Sequence, residues 1–210
     1  MILSRNSDGY YRQISYSRWC SYFWQMRYIS DCRPDRVLEL GVGDGIMSDL
    51  LRKLGYDLVA CDLSPDLFPD VAADIVHLPF QDNSFDAVAA FQVLEHLPYD
   101  QFAACLREMG RVSRKQVLIS LPQVRKYIHF RLHLPWMKKS GYWQWFRDMP
   151  RFPAYHEPSG HHHDWEIGVR FYPLKRILTD MRAAGFTIAV NRTLPENTYH
   201  RFFVLAGQTG

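Results

Sequence analysis

The sequence lacks any apolar run long enough to cross a lipid bilayer, so no transmembrane segment is predicted within its 210 residues. Residues 1–6 lack the apolar core and the small-residue cleavage site of a secretory signal, and we therefore expect a cytoplasmic protein. The formal net charge is only +3, which argues against a general nucleic-acid-binding surface.

Cysteine is also scarce, and its spacing matches no metal-ligand motif. We expect four free thiols in a reducing compartment: Cys20, Cys32, Cys61 and Cys105. Hydrophobic residues make up 47% of the chain and charged residues 22%, which is typical of one globular domain with a substantial core.

The segment 37–45 combines a buried strand with a turn that has glycine at alternate positions. Glu39 ends the apolar run, Gly41, Gly43 and Gly45 follow, and a helical pattern begins directly afterwards. Glycine permits a positive φ and leaves no Cβ between the backbone and a ligand. This pattern therefore predicts a nucleotide-sized docking site at the carboxyl end of a parallel sheet.

The spacing of these glycines disfavours a dinucleotide. A dinucleotide fingerprint needs a small residue three positions after its second glycine, and Ile46 stands there instead. The carboxylate of Glu39 suits a ligand with an ammonium and a sulfonium better than one with a pyrophosphate. The alternative is that Glu39 is an ordinary acid at the end of a strand.

Further landmarks follow in order along the chain. Residues 57–62 are predicted to form a second strand ending in Asp62, and residues 73–75 contain Asp74. Residues 85–91 are predicted to form another strand, which runs into the Glu-His-Leu sequence of residues 95–97. Together with the glycine turn, this series resembles the class I S-adenosylmethionine-dependent methyltransferases, in particular the group called type 11.

The resemblance implies an S-adenosylmethionine cofactor and assigns residues to it. It places Asp62 at the ribose hydroxyls, Leu63 against adenine, and Asp74 with Ile75 at the adenine edge, where Asp74 accepts from the exocyclic amine. Gln92 is a further candidate for contact with the cofactor. The alternatives are a helix N-cap for Asp62 and a solvated loop position for Gln92.

Strand and helix patterns alternate along the chain, which predicts an α/β fold with a mostly parallel sheet and helices on both faces. The predicted strands are 37–41, 57–61, 72–76, 85–90, 116–121, 186–190 and 201–206, and the predicted helices are 44–54, 99–112 and 173–184. The resemblance implies a Rossmann-like three-layer sandwich of seven strands, the last antiparallel. We divide this single domain into an N-terminal helical lid (1–34), a cofactor-binding core (35–121), a substrate-side insertion after strand five (122–171) and a C-terminal part (172–210).

The N-terminal part is crowded with aromatic residues. A helical face shared by Tyr16, Trp19, Phe23 and Met26 predicts a helix packed over the sheet edge. In the family that the chain resembles, N-terminal helices also cover the cofactor. That likeness makes three residues candidates for its carboxylate end: Tyr10, Tyr11 and Arg12.

Candidate catalytic residues are His96, His162 and Glu166, from residue type and position. The run of three histidines at 161–163 admits three readings: a structural loop, a general base oriented by Glu166, or a metal site completed by His156, Asp164 or Glu166. Adjacent histidines on a strand point to opposite faces, which disfavours convergence of all three, and we assign no metal.

The class of methyl acceptor is predicted from two motifs of other methyltransferases that this sequence does not contain. Residues 91–94 do not form the Asn/Asp-Pro-Pro-aromatic turn of many amino-group methyltransferases, and no cysteine follows a proline as in the cytosine-carbon enzymes. We expect an enzyme that methylates a small-molecule or lipid-like acceptor beneath residues 122–171, whose aromatic side chains suit an apolar compound. The alternatives are an RNA or protein substrate, a non-catalytic binding module, and a membrane-surface patch in the insertion.

Overall fold

The computed structural model describes residues 15–124, 127–138, 142–148 and 163–207. A seven-stranded sheet lies at its centre, built from β1 (Arg36–Leu40), β2 (Asp57–Asp62), β3 (Val71–Ala72), β4 (Phe85–Phe91), β5 (Ser113–Pro122), β8 (Phe186–Leu194) and β9 (Asn197–Gly207). The strand order is β3-β2-β1-β4-β5-β9-β8. All neighbours pair in parallel except β9, which is antiparallel to both β5 and β8.

Within the described residues, four α-helices cover this sheet: α1 (Tyr16–Asp31), α2 (Ile46–Lys53), α3 (Phe102–Val112) and α4 (Leu174–Ala183). Alternate residues of β1 enter two separate cores. Leu38 and Leu40 pack in the cluster that contains residues of α3 and α4, whereas Val37 packs in the cluster that contains residues of α1 and α2. The predicted three-layer Rossmann-like fold, with its antiparallel last strand, is confirmed.

Several boundaries differ from the sequence prediction. The strand expected at 72–76 has only two residues, because the backbone turns at Asp74, whose Oδ1 accepts from Val76 N–H at 3.0 Å. The last two strands are longer than expected and form a hairpin from Phe186 to Gly207.

The predicted packing face of α1 is wrong for three of its four residues. Tyr16, Trp19 and Phe23 are 73%, 52% and 56% exposed. The helix instead buries the side that carries Tyr22, Tyr28 and Ile29, together with the polar residues Ser21 and Gln25. Aromatic residues lie on both sides of this helix, so hydrophobicity alone does not select the buried side.

The insertion contains an antiparallel pair that the sequence did not predict, formed by β6 (Tyr127–Leu132) and β7 (Trp143–Asp148). Its described aromatic side chains are half exposed, including Phe130 at 50% and Trp143 at 55%. Among the described helices, none is long and apolar enough to span a membrane.

Candidate functional site

A cavity of about 1210 Å³ opens at the carboxyl ends of β1, β2 and β4, beneath α1. Among the described residues that were predicted to contact the cofactor, all but Gly45 line it: Glu39, Gly41, Gly43, Asp62, Leu63, Asp74, Ile75 and Gln92. Its volume exceeds the usual size of a pocket for one drug-sized ligand, which leaves room for two reactants side by side.

The glycines of the turn have three different structural tasks. Gly41 has φ +83°, and a Cβ there would lie 2.3 Å from Val93 Cγ2, so the packing of the turn excludes any side chain. Gly43 has φ +54°, lines the cavity, and a Cβ there would meet nothing within 4 Å. Gly45 has φ +72° and is the N-cap of α2, away from the cavity. Only Gly43 therefore keeps open space for a ligand.

Glu39 is a buried acid in the cavity wall. Its side chain is 6% exposed, and Ser48 Oγ donates to its Oε2 at 2.5 Å. Burial raises the pKa of Glu39 to about 7, although the Ser48 hydroxyl opposes that shift. A cationic ligand group in the cavity would favour the ionised carboxylate.

Asp62 fastens the end of β2 to the glycine turn. Its Oδ2 accepts from Val42 N–H at 2.8 Å and its Oδ1 accepts from Ser64 N–H at 2.9 Å. Asp62 is not a helix N-cap, because Ser64 holds that position before the short helical turn Pro65–Leu67. Each carboxylate oxygen has a second lone pair, so these bonds leave capacity for ligand hydroxyls.

The remaining predicted cofactor residues form one wall of the cavity. Leu63 is 68% exposed there, which is unusual for a large apolar side chain and offers a surface for a flat ring. Asp74 and the buried Ile75 lie beside it. Gln92 has φ +59°, and its Nε2 donates to Ser120 Oγ at 3.1 Å, so it is held against β5 and is not a solvated loop residue.

Helix α1 adds residues that the sequence analysis missed. The Tyr22 hydroxyl donates to Asp44, Arg18 Nε donates to that hydroxyl at 3.1 Å, and Arg18 Nη2 lies 3.5 Å from Asp44 Oδ2. Burial and the neighbouring carboxylate raise the pKa of Tyr22. Arg18 and Tyr22 are four apart on one helix, a spacing that could have indicated them. The earlier candidates Tyr10, Tyr11 and Arg12 lie outside the described residues.

A histidine-rich cluster forms the other end of the cavity, where His96, His163 and Tyr199 line the wall. The rings of His96 and His163 are 4.8 Å apart. Behind them is the fully buried Glu166, whose Oε1 lies 2.8 Å from His163 Nδ1 and accepts from the Tyr199 hydroxyl at 2.7 Å. The structure thus brings two candidate residues together, His96 and Glu166, whereas His162 lies outside the described residues.

Three hydrogen bonds hold the end of the insertion against the turn Leu94–His96 and strand β5. Asp164 N–H donates to Glu95 O at 2.8 Å, Trp165 Nε1 donates to Leu97 O at 3.0 Å, and Ile167 N–H donates to Pro122 O at 3.0 Å. Trp165 is fully buried in the core, so it is not one of the acceptor-facing aromatics that we expected. Among the described residues of 122–171, His163 lines the cavity.

His200 adds a neutral imidazole to this wall. Desolvation lowers its pKa to about 3, and the charge of Arg18 acts in the same direction. Its Nδ1 lies 2.8 Å from Ser21 Oγ on α1. The contact joins β9 to α1 across the cavity.

The sheet order, the antiparallel last strand and the glycine turn below a ligand-sized cavity agree with the fold that the resemblance to class I methyltransferases implied. Residues 38–121 match the family model described as a methyltransferase domain. Over these residues the match confirms the resemblance to methyltransferases that the sequence predicted.

Curated relatives share this part of the chain. The chain is 39% identical over 88 residues to a demethylmenaquinone methyltransferase of Corynebacterium urealyticum, covering 38% of this chain and 37% of that protein. It is 38% identical over 121 residues to the enzyme of that name from Mycobacterium marinum, covering 54% and 47%. The chain thus spans less than half the length of these relatives.

Solved structures share the whole fold at low sequence identity. Magnesium protoporphyrin IX methyltransferase from Synechocystis with bound SAH has a TM-score of 0.62 and 14% identity, covering 97% of this chain and 96% of that chain. The N-methyltransferase NodS from Bradyrhizobium japonicum has a TM-score of 0.63 and 11% identity, covering 97% and 93%.

Proposed function

We propose that this protein is an enzyme that transfers a methyl group from S-adenosylmethionine to a small, lipid-like acceptor. The observation that carries the proposal is the convergence of Glu39, Asp62 and Asp74 on one cavity that also contains His96 and His163. These positions belong to separate segments, and their meeting at one open glycine turn suits a cationic nucleoside ligand. The names of the curated relatives support both the reaction and the class of acceptor.

We propose that the residues around the turn hold the cofactor. Glu39 would pair with the ammonium, the oxygens of Asp62 with the ribose hydroxyls, and Asp74 with the adenine amine, while Leu63 packs on the ring. Arg18, at the α1 side of the same cavity, would take the carboxylate. The bound sulfonium supplies the electrophilic methyl group; these residues supply binding and alignment.

The acceptor would lie between the turn and the histidine cluster. His96 lines that part of the cavity, and in this proposal its imidazole would receive a proton from an acceptor hydroxyl. Glu166 would act through His163, since it contacts the Nδ1 of that ring and is itself fully buried. The roles of His162 and of the insertion as a roof stay predictions.

Calorimetric titration with S-adenosylhomocysteine tests the donor half of the proposal. We expect binding to the wild-type chain and a weaker affinity for Asp62→Ala. Absence of binding to both S-adenosylmethionine and its product would refute the proposal. Incubation with labelled cofactor and a panel of quinones, phenols and lipids then tests the acceptor class.

RNA is a second candidate substrate because of the hairpin β6–β7. Trp143 and Trp145 are 55% and 41% exposed there, and Arg131 lies 4.2 Å from the centre of the Tyr142 ring. Exposed aromatic rings beside arginine can stack bases and contact phosphates. The salt dependence of RNA binding tests this candidate, and a flat dependence would exclude it.

We also propose the division into a lid (1–34), a cofactor-binding core (35–121), an insertion (122–171) and a C-terminal part (172–210). A cytoplasmic location is the further part of this proposal. The four cysteines are all unpaired thiols, as expected of a protein kept in a reducing compartment. Cell fractionation would test that location.

A further inference from the structure

The turn Leu94–His96 contains a buried acid that the proposed methyl transfer does not use. The side chain of Glu95 is fully buried, and within the described part of the chain neither of its carboxyl oxygens has a hydrogen-bond partner. Burial raises the pKa of this carboxyl to about 8, and the charge of Glu166 adds to the rise. A buried carboxyl without a partner is costly, so its retention here needs a reason.

Two histidines lie beside this acid. One ligand atom each from Glu95, His96 and His163 can be chosen so that all three lie within 4.8 Å of one another. Ligand atoms on a tetrahedral zinc ion lie about 3.4 Å apart. Side-chain rotations that move these atoms by little more than about 1 Å would therefore bring all three within reach of one ion. Two imidazoles and one carboxylate form a donor set that zinc and other first-row divalent ions accept, with a fourth position left open.

Glu166 completes the arrangement from behind. Because a carboxylate only accepts hydrogen bonds, its 2.8 Å contact with His163 Nδ1 places the proton on that nitrogen and leaves Nε2 with a lone pair. The Tyr199 hydroxyl donates to the same oxygen and fixes the carboxylate in turn. A carboxylate that orients a histidine in this way is the usual outer partner of a metal-bound imidazole.

We propose that Glu95, His96 and His163 bind a first-row divalent metal ion, such as zinc, at the acceptor end of the cavity, with Glu166 orienting His163. The cation would balance the negative charge of the buried carboxylates of Glu95 and Glu166. The site stands on the side-chain cluster alone. Its consequence rests on the proposed methyl transfer: a bound ion would occupy the lone pair of His96, and it would replace that imidazole by lowering the pKa of an acceptor hydroxyl beside it.

The test is metal binding by the full chain after chelator treatment and dialysis. Titration with zinc chloride should show one bound ion per chain, and cobalt chloride should give the visible absorption of a protein-bound ion. We expect Glu95→Gln and His163→Ala to weaken zinc binding by about 100-fold or more, and Glu166→Gln by about 10–100-fold. His133→Ala, which alters an exposed histidine after β6, is the matched control and should bind as the wild type does.

Thermal melting of the same samples checks that each variant folds. Binding of S-adenosylhomocysteine in the absence of metal is measured as well, so that a failure of metal binding can be distinguished from a failure of cofactor binding. If Glu95→Gln fails to fold, His96→Ala replaces an exposed side chain and reports on the same ion. Wild-type binding of zinc and cobalt no tighter than that of Glu95→Gln would overturn the inference. So would binding that survives in Glu95→Gln but is lost in a His161→Ala, His162→Ala double variant, because the histidine run alone would then hold the ion.

Discussion

Glu39 predicts that cofactor binding is linked to the loss of a proton. In the free protein, burial raises the pKa of this carboxyl from its ordinary 4.5 to about 7. The ligand ammonium would bind only the ionised form, so each unit of pH below 7 should reduce the apparent affinity by about tenfold. Above the pKa the affinity should reach a plateau.

The same shift has a consequence for folding, with a definite sign. Raising the pKa of Glu39 from 4.5 to about 7 corresponds to about 3 kcal/mol in the free energy of unfolding. The folded state holds the proton of Glu39 more tightly than the unfolded state does. The contribution of this group to stability is therefore constant below about pH 4 and falls between about pH 4.5 and 7. Above about pH 7 the protein is less stable by the full amount of about 3 kcal/mol. Glu39→Gln should therefore stabilise the free protein at about pH 8 and leave it nearly unchanged at acid pH, while weakening cofactor binding.

Urea unfolding and calorimetric titration with S-adenosylhomocysteine, each across this pH range, measure the two effects. Ser48→Ala provides an independent check, since the Ser48 hydroxyl lowers the pKa of Glu39 and its loss should move both midpoints to higher pH. A stability difference between Glu39→Gln and wild type that is constant with pH would refute the assigned pKa. An affinity that is flat with pH would refute the pairing of Glu39 with the ammonium.

Four further substitutions separate binding from folding. Gly43→Ala and Gly55→Ala both place a side chain at positive φ in open space, so each should cost about 1 kcal/mol in urea unfolding, but only Gly43→Ala should weaken S-adenosylhomocysteine binding. Asp62→Ala should weaken that binding by about 1–3 kcal/mol through lost charge-assisted hydrogen bonds, and unchanged affinity would contradict the ribose assignment. Trp165→Ala should destabilise the fold by about 3–5 kcal/mol, because it empties a fully buried core position, and a loss below 1 kcal/mol in urea unfolding would contradict that packing.

The donor half of the cavity could be predicted because its geometry is local. Glu39 and Gly43 are separated by one tight turn, and Asp62 follows directly from the end of the neighbouring strand. In a parallel sheet the carboxyl ends of adjacent strands meet at one edge, so the sequence order of these residues already implies that they are close. The hydrogen bond from Val42 N–H to Asp62 Oδ2, at 2.8 Å, shows that these two strand ends are in contact.

Helix α1 shows where hydrophobic pattern alone fails. Its cavity-facing side needs polar groups, and it therefore carries Ser21 and Gln25, while Tyr16 and Trp19 remain exposed. A periodicity argument assumes that the apolar face is the buried one. That assumption fails for a helix that covers a polar ligand site.

The acceptor end depends on contacts that no local pattern specifies. His96 and His163 meet because Asp164 N–H and Trp165 Nε1 bond to carbonyls of the segment around Glu95, and those bonds depend on the core into which Trp165 packs. Residue type suggested His96 and Glu166 as candidates, but it could not reveal that Glu95, between Leu94 and His96, faces the same cluster. A short helical turn places consecutive side chains in different directions, so Leu94 can fill the core while Glu95 and His96 approach His163. Glu95 of the Glu-His-Leu sequence therefore comes close to a second histidine, His163, which lies 68 positions later along the chain. The fold shows this proximity, whereas the local sequence motif does not.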